Sequence, residues 1–76
     1  MTEKEYLEFK SLLEMNDELN FYYKDEEYWI SHSRGKSYLS RVKDHYSQEF
    51  NGYKELLKKG TIEGMKISEI YPEIKW

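Results

Sequence analysis

Tyr6, Phe9, Leu12 and Leu13 recur at spacings of three and four, with Leu7 flanking, and predict an amphipathic helix over residues 3–15. Thr2 suits its N-cap, Glu3 and Glu5 suit the positive end of the helix dipole, and Asn16-Asp17 ends it. The period then shortens to two. Leu19-Asn20-Phe21-Tyr22-Tyr23 and Tyr28-Trp29-Ile30-Ser31-His32 flank the polar Lys24-Asp25-Glu26-Glu27, which predicts a β-hairpin over residues 18–33. A four-residue loop sets Tyr23 opposite Tyr28, Tyr22 opposite Trp29, Phe21 opposite Ile30 and Leu19 opposite His32. Alternation sends Leu19, Phe21, Tyr23, Tyr28 and Ile30 to the core face. Tyr22 and Trp29 pair on the opposite face, among Asn20 and Ser31.

Ser33-Arg34-Gly35-Lys36 reads as a turn and Ser37–Val42 as a third strand, with Tyr38 and Val42 on one face and Leu39 and Arg41 on the other. Lys43 to Gln48 reads as a polar connection, and Phe50 as the last buried residue before the next helix. That helix runs from an Asn51 cap, or from Ser47 in a longer version, through Tyr53, Leu56 and Leu57 to Lys58-Lys59. Gly60 takes the left-handed position after it. Residues 61–64 form a short link, and residues 66–71 a short helix turning Met65, Ile67, Ile70 and Tyr71 inward. Pro72 limits further helix, while Ile74 and Trp76 dock on the body. The expected architecture is a single α+β domain over residues 1–76, ordered α-β-β-β-α-α. Its helices pack on one face of a three-stranded antiparallel sheet.

Composition changes this picture in three ways. A chain of 76 residues has a thin core, and with Cys 0 it has no disulfide to reinforce it. Aromatic content of 17%, with Tyr 8, Phe 3 and Trp 2, puts that burden on large rings. The missing cysteines also exclude thiolate-zinc sites and a cysteine nucleophile. Second, the net charge of -3 excludes a generically basic nucleic-acid binder. The charge is uneven, however: residues 1–30 carry 3 Lys against 9 Asp+Glu, whereas residues 31–60 carry 7 Lys+Arg against 3 Asp+Glu. Third, Phe21–Tyr23 and Tyr28–Ile30 are the longest apolar runs, far short of the roughly 20 residues of a membrane span. Met1-Thr2-Glu3-Lys4-Glu5 has no apolar signal core, so a soluble, cytoplasmic chain is expected. The lack of Ala, with abundant Lys, Glu, Ile and Tyr, looks like AT-rich coding of a low-GC bacterium or its mobile elements.

Candidate chemistry is sparse. Gly35-Lys36-Ser37 lacks the earlier glycine of a phosphate-binding loop, because position 30 is Ile, and it reads as a hairpin turn. His32 and His45 have no second histidine within a turn and no cysteine, so neither a metal site nor a cofactor site is expected. His32 lies beside Ser31 and Ser33 but has no carboxylate or oxyanion hole at hand, which points to a non-enzyme. Residues 55–70 carry the outline of a helix-turn-helix, but the second helix holds one lysine and Pro72 stops it early. What remains is a surface: the outward Tyr22 and Trp29, with Arg34, Lys36, Arg41 and Lys43 along and beside the third strand. Trp, Tyr and Arg are the side chains enriched at protein interfaces. Interleaved bases and aromatics also suit single-stranded nucleic acid, and the C-terminal segment is a third candidate to cover the pair.

The hairpin, Glu55-Leu56-Leu57, Ile62-Glu63-Gly64, Ile67 and Glu69-Ile70 together resemble small proteins of low-GC bacteria and their phages that carry no assigned activity. The layout of a helix, three strands and two helices also resembles a type II-A anti-CRISPR inhibitor, a small acidic protein that occupies the DNA-recognition surface of its nuclease target. The basic middle of this chain departs from that pattern, and no site residue carries over. The expected function is therefore a non-enzymatic protein-binding accessory or inhibitor, of cytoplasmic or mobile-element origin, acting as a monomer or weak homodimer on a protein partner. Single-stranded nucleic-acid binding through the same face is the alternative.

Overall fold

Thr2 and Glu5 open the first helix reciprocally. The Thr2 hydroxyl accepts from the Glu5 amide at 3.1 Å, and the Glu5 carboxylate accepts from the Thr2 amide at 2.8 Å. Two of the otherwise orphaned amide donors are thereby satisfied, as in a capping box. In the computed structural model, which describes residues 1–76, helix α1 spans Glu3–Glu14 and buries Phe9 and Leu13.

Four strands follow as an antiparallel meander: β1 (Leu19–Tyr23), β2 (Glu26–Ser33), β3 (Lys36–Arg41) and β4 (Tyr46–Phe50). The β1–β2 turn is tighter than expected. Lys24 and Asp25 alone make it, at φ 50° and 64°, and Glu26 and Glu27 join β2. Two positive φ values in a two-residue loop match the right-handed twist of the flanking strands. The register is therefore Phe21 opposite Tyr28, Tyr22 opposite Glu27 and Asn20 opposite Trp29, not Tyr22 opposite Trp29. The change amounts to two residues, so each side chain keeps its face. Phe21, Tyr23, Tyr28 and Ile30 are buried as expected.

The sheet is larger than three strands. Tyr46–Phe50, expected as connection and helix cap, forms β4 on one edge, where Gln48 faces Leu39 and Ser47 faces Ser40. An edge strand with few buried positions needs little apolar signal, which explains its polar sequence. At the other edge Ile74–Lys75 adds β7 beside β1, giving the order β4-β3-β2-β1-β7. The expected α-β-β-β-α-α order is corrected accordingly.

Helix α2 (Tyr53–Lys59) starts from Gly52 at φ 95° instead of Asn51, whose side chain is taken up by the Lys36 ammonium. The expected link over residues 61–64 is a small hairpin of β5 (Thr61–Ile62) and β6 (Met65–Lys66), turned at Glu63-Gly64. The Gln48 amide holds it by donating to the Thr61 carbonyl at 2.8 Å and accepting from the Thr61 N–H at 3.2 Å. Helix α3 (Ile67–Ile70) and a single 3-10 turn at Tyr71–Glu73 lead into β7. Trp76 then lies edge-on to Phe9, with ring centroids 5.4 Å apart, and Tyr6 stacks on Tyr71 at 4.3 Å. Phe9, Leu13, Leu56, Ile67 and Ile70 from the helices meet Phe21, Ile30 and Leu39 from the sheet in one core. All helices therefore pack on one side of the sheet.

Gly60 corrects another expectation. It is extended, at φ -64° and ψ 137°, not left-handed. A Cβ there would lie 2.6 Å from the Leu56 carbonyl oxygen and 3.4 Å from Leu39 Cδ2. The glycine is thus required for close approach and not for its φ. Gly60→Ala should destabilise the domain by about 1–3 kcal/mol, read as a lowered urea midpoint. An unchanged midpoint would show that the α2 end has room to give.

Candidate protein-binding face

Strand alternation directs Asn20 and Tyr22 of β1, Glu27, Trp29 and Ser31 of β2, and Tyr38 and Ser40 of β3 away from the helices. No helix or terminal segment lies over them. Trp29 is 38% exposed and Tyr22 47% exposed, while Tyr38 is half-buried. In the observed register Trp29 sits between Asn20 and Ser40, two small polar neighbours that leave its ring open. Tyr22 is its diagonal neighbour on β1, within reach of a large side chain. The C-terminal segment does not cover the pair, because Trp76 packs on Phe9 on the helix side.

The basic residues divide. Arg34 lies exposed in the β2–β3 turn at φ 51°. Lys36, at that end of the outer face, donates to Asn51 and lies 4.0 Å from Glu49. Arg41 alternates to the helix side of the sheet and is forked onto Asp44, with Nε to Oδ1 at 2.9 Å and Nη2 to Oδ2 at 2.6 Å. Lys43 lies 3.9 Å from Glu26. Lys36 and Arg41 stand at opposite ends of β3, about 17 Å apart at the usual rise per residue. The structure thus brings Tyr22 and Trp29 together, but Lys36 and Arg34 stand at the far end of β2–β3 from them. Although Arg41 borders the Trp29 cavity, its guanidinium is forked onto Asp44, so the four basic residues form no stripe along the pair.

The Arg41–Asp44 fork closes the β3–β4 turn. Hydrogen bonds from Arg41 hold the Asp44 carboxyl down at about 2, below its ordinary 3.8, and the same fork pushes the Arg41 guanidinium further up. Because the folded value is the lower one, the pair's contribution is complete above pH 3.8 and is lost as pH falls towards 2. Asp44→Asn should therefore cost a small amount of stability above pH 3.8, small because the pair is exposed, and the variant and wild-type curves should converge as pH falls towards 2. An acid limb identical to the wild type would show the fork to be inert.

Two features were not accessible from sequence spacing. His32 meets Ser37 across β2–β3, with Nδ1 2.7 Å from Oγ, and its Nε2 lies 3.0 Å from the Asp17 carbonyl. A carbonyl only accepts, so Nε2 carries a proton, and in the neutral ring Nδ1 then accepts from the Ser37 hydroxyl. Ser37 is 1% exposed, so the pair ties the α1–β1 connection to the sheet and leaves no open nucleophile. The second feature is Glu27, assigned to the loop by sequence but placed on the outer face beside Trp29. Its carboxylate accepts from the Asn20 side-chain amide at 2.8 Å. Glu27, Asn20, Trp29, Ser40 and Val42 line an open cavity of about 330 Å³.

No group of three or more His, Asp or Glu side chains converges, and no helix is long and apolar enough to cross a membrane. Comparison with protein-family models, with curated proteins and with solved structures finds no match to this chain.

Proposed function

We propose that this domain is a non-enzymatic accessory or inhibitor that binds a protein partner through the outer face of its sheet. The observation that carries the reading is the exposed Trp29 with Tyr22 diagonal to it on the sheet face turned away from the core. A tryptophan and a tyrosine presented side by side on a rigid sheet are the side chains that most often dominate protein interfaces. The buried Ser37 beside His32 supports the non-enzymatic part, because a hydroxyl without access cannot attack a substrate. A protein partner is favoured over single-stranded nucleic acid because the cations are dispersed and three of them face acidic side chains.

Affinity capture from the source lysate, with wild type and with Tyr22→Thr/Trp29→Ser side by side, tests this reading. The expected result is a protein retained by the wild type and lost from the variant. Retention of a labelled single-stranded oligonucleotide that falls steeply with salt would replace it with the nucleic-acid reading.

A further inference from the structure

Glu27 differs from the other carboxylate on the strands of the outer face. Glu49 has Lys36 beside it, whereas none of the four ion pairs of the fold reaches Glu27. The Asn20 amide holds the Glu27 carboxylate at 2.8 Å, and Asn20 is the cross-strand neighbour of Trp29. Glu27 and Trp29 are two residues apart on one strand and share a face, so their backbones are about 7 Å apart. They wall the same cavity of about 330 Å³, together with Asn20, Ser40 and Val42. Arg41 and His45 also line the cavity, but the Arg41 guanidinium is committed to Asp44.

We propose that this cavity takes a cationic side chain of the partner, arginine in preference to lysine. The proposal rests on the reading of the outer face as protein-binding and specifies what that face recognises. The chemistry is complementary on each wall. A cation is attracted to the face of an indole, and Trp is the strongest of the aromatic rings in this respect. A planar guanidinium stacked on Trp29 can direct its N–H fork at the carboxylate of Glu27, which Asn20 already orients. An anionic ligand would meet the carboxylate of Glu27, which no ion pair of the fold neutralises, and this disfavours a phosphate backbone.

Selection of random displayed peptides on the immobilised wild-type protein supplies the probe. The selected peptides are expected to share an arginine or lysine at one position. Glu27→Gln should weaken their binding about tenfold, and exchanging the peptide arginine for citrulline should do the same. Combined, the two changes should lose less than the sum of their separate effects, because they remove the same interaction. The citrulline arm leaves the protein untouched and so stands even where a variant folds poorly. Peptides that need Trp29 but lack a shared cation, or that bind Glu27→Gln as well as the wild type, overturn the cation site and leave the protein-binding face standing. A selection that yields no peptide sensitive to Trp29→Ser overturns both.

Discussion

Phe21→Ala is expected to remove about 3–5 kcal/mol of stability. A domain of this length has roughly 4–11 kcal/mol in all, so the variant should be largely or wholly unfolded at room temperature. Phe21 is fully buried, stacked on Tyr28 at 5.6 Å and edge-on to Phe9 at 5.8 Å. It therefore joins α1 to the middle of the sheet. Removing the ring empties a space that neither the helix nor the strands can fill without losing their own packing. Glu26→Ala is the contrasting change on the neighbouring strand. It breaks only an exposed contact with Lys43 at 3.9 Å and should alter stability by about 0.5 kcal/mol or less. Equal losses in urea denaturation of the two variants would mean that the facing of the hairpin is wrong.

The double variant Tyr22→Thr/Trp29→Ser should behave in the opposite way. Both rings stand on an uncovered face, and they are diagonal rather than directly paired. Cross-strand side-chain pairs contribute about 0.2–1 kcal/mol, so unfolding free energy should change by about 1 kcal/mol or less. Partner binding should fall by 2 kcal/mol or more, about thirtyfold, because a central aromatic anchor carries that much of an interface. Threonine and serine keep the backbone extended while removing the apolar surface. A large loss of stability instead would show that the rings are covered. A homodimer that dissociates on the same substitutions would assign the face to self-association.

The elements with strong local periodicity were legible in the sequence. Helix α1 with its Thr2 cap, the inward set of the hairpin, the Arg34-Gly35 turn and the docking of Ile74 and Trp76 all follow from spacing and burial. The register of the hairpin was not, because the Lys24-Asp25 turn has neither Gly nor Asn to mark its two positive φ positions. β4 was hidden because an edge strand with polar alternate positions looks like a connection. β5, β6 and β7 have two residues each, too few to show any period. The same limits apply to the candidate site. Tyr22 and Trp29 were placed on one face because a two-residue change of register preserves facing. The basic residues were grouped by proximity in the chain, but alternation turns Arg41 to the helix side, and the ends of β3 keep the others apart. Glu27 depended on the true turn, and the His32–Ser37 contact on the pairing of β2 with β3.

Quenching of Trp29 fluorescence by acrylamide, in a Trp76→Phe background, tests most directly whether the outer sheet face is open and used. Trp76 is replaced because it is the second fluorophore and packs on the opposite side of the sheet, against Phe9. In the free protein Trp29, 38% exposed, should be quenched clearly more readily than a buried indole, and adding the protein captured by the wild type should shield it. Shielding already present in the free protein, or quenching that the partner leaves unchanged, would contradict a binding face centred on Trp29.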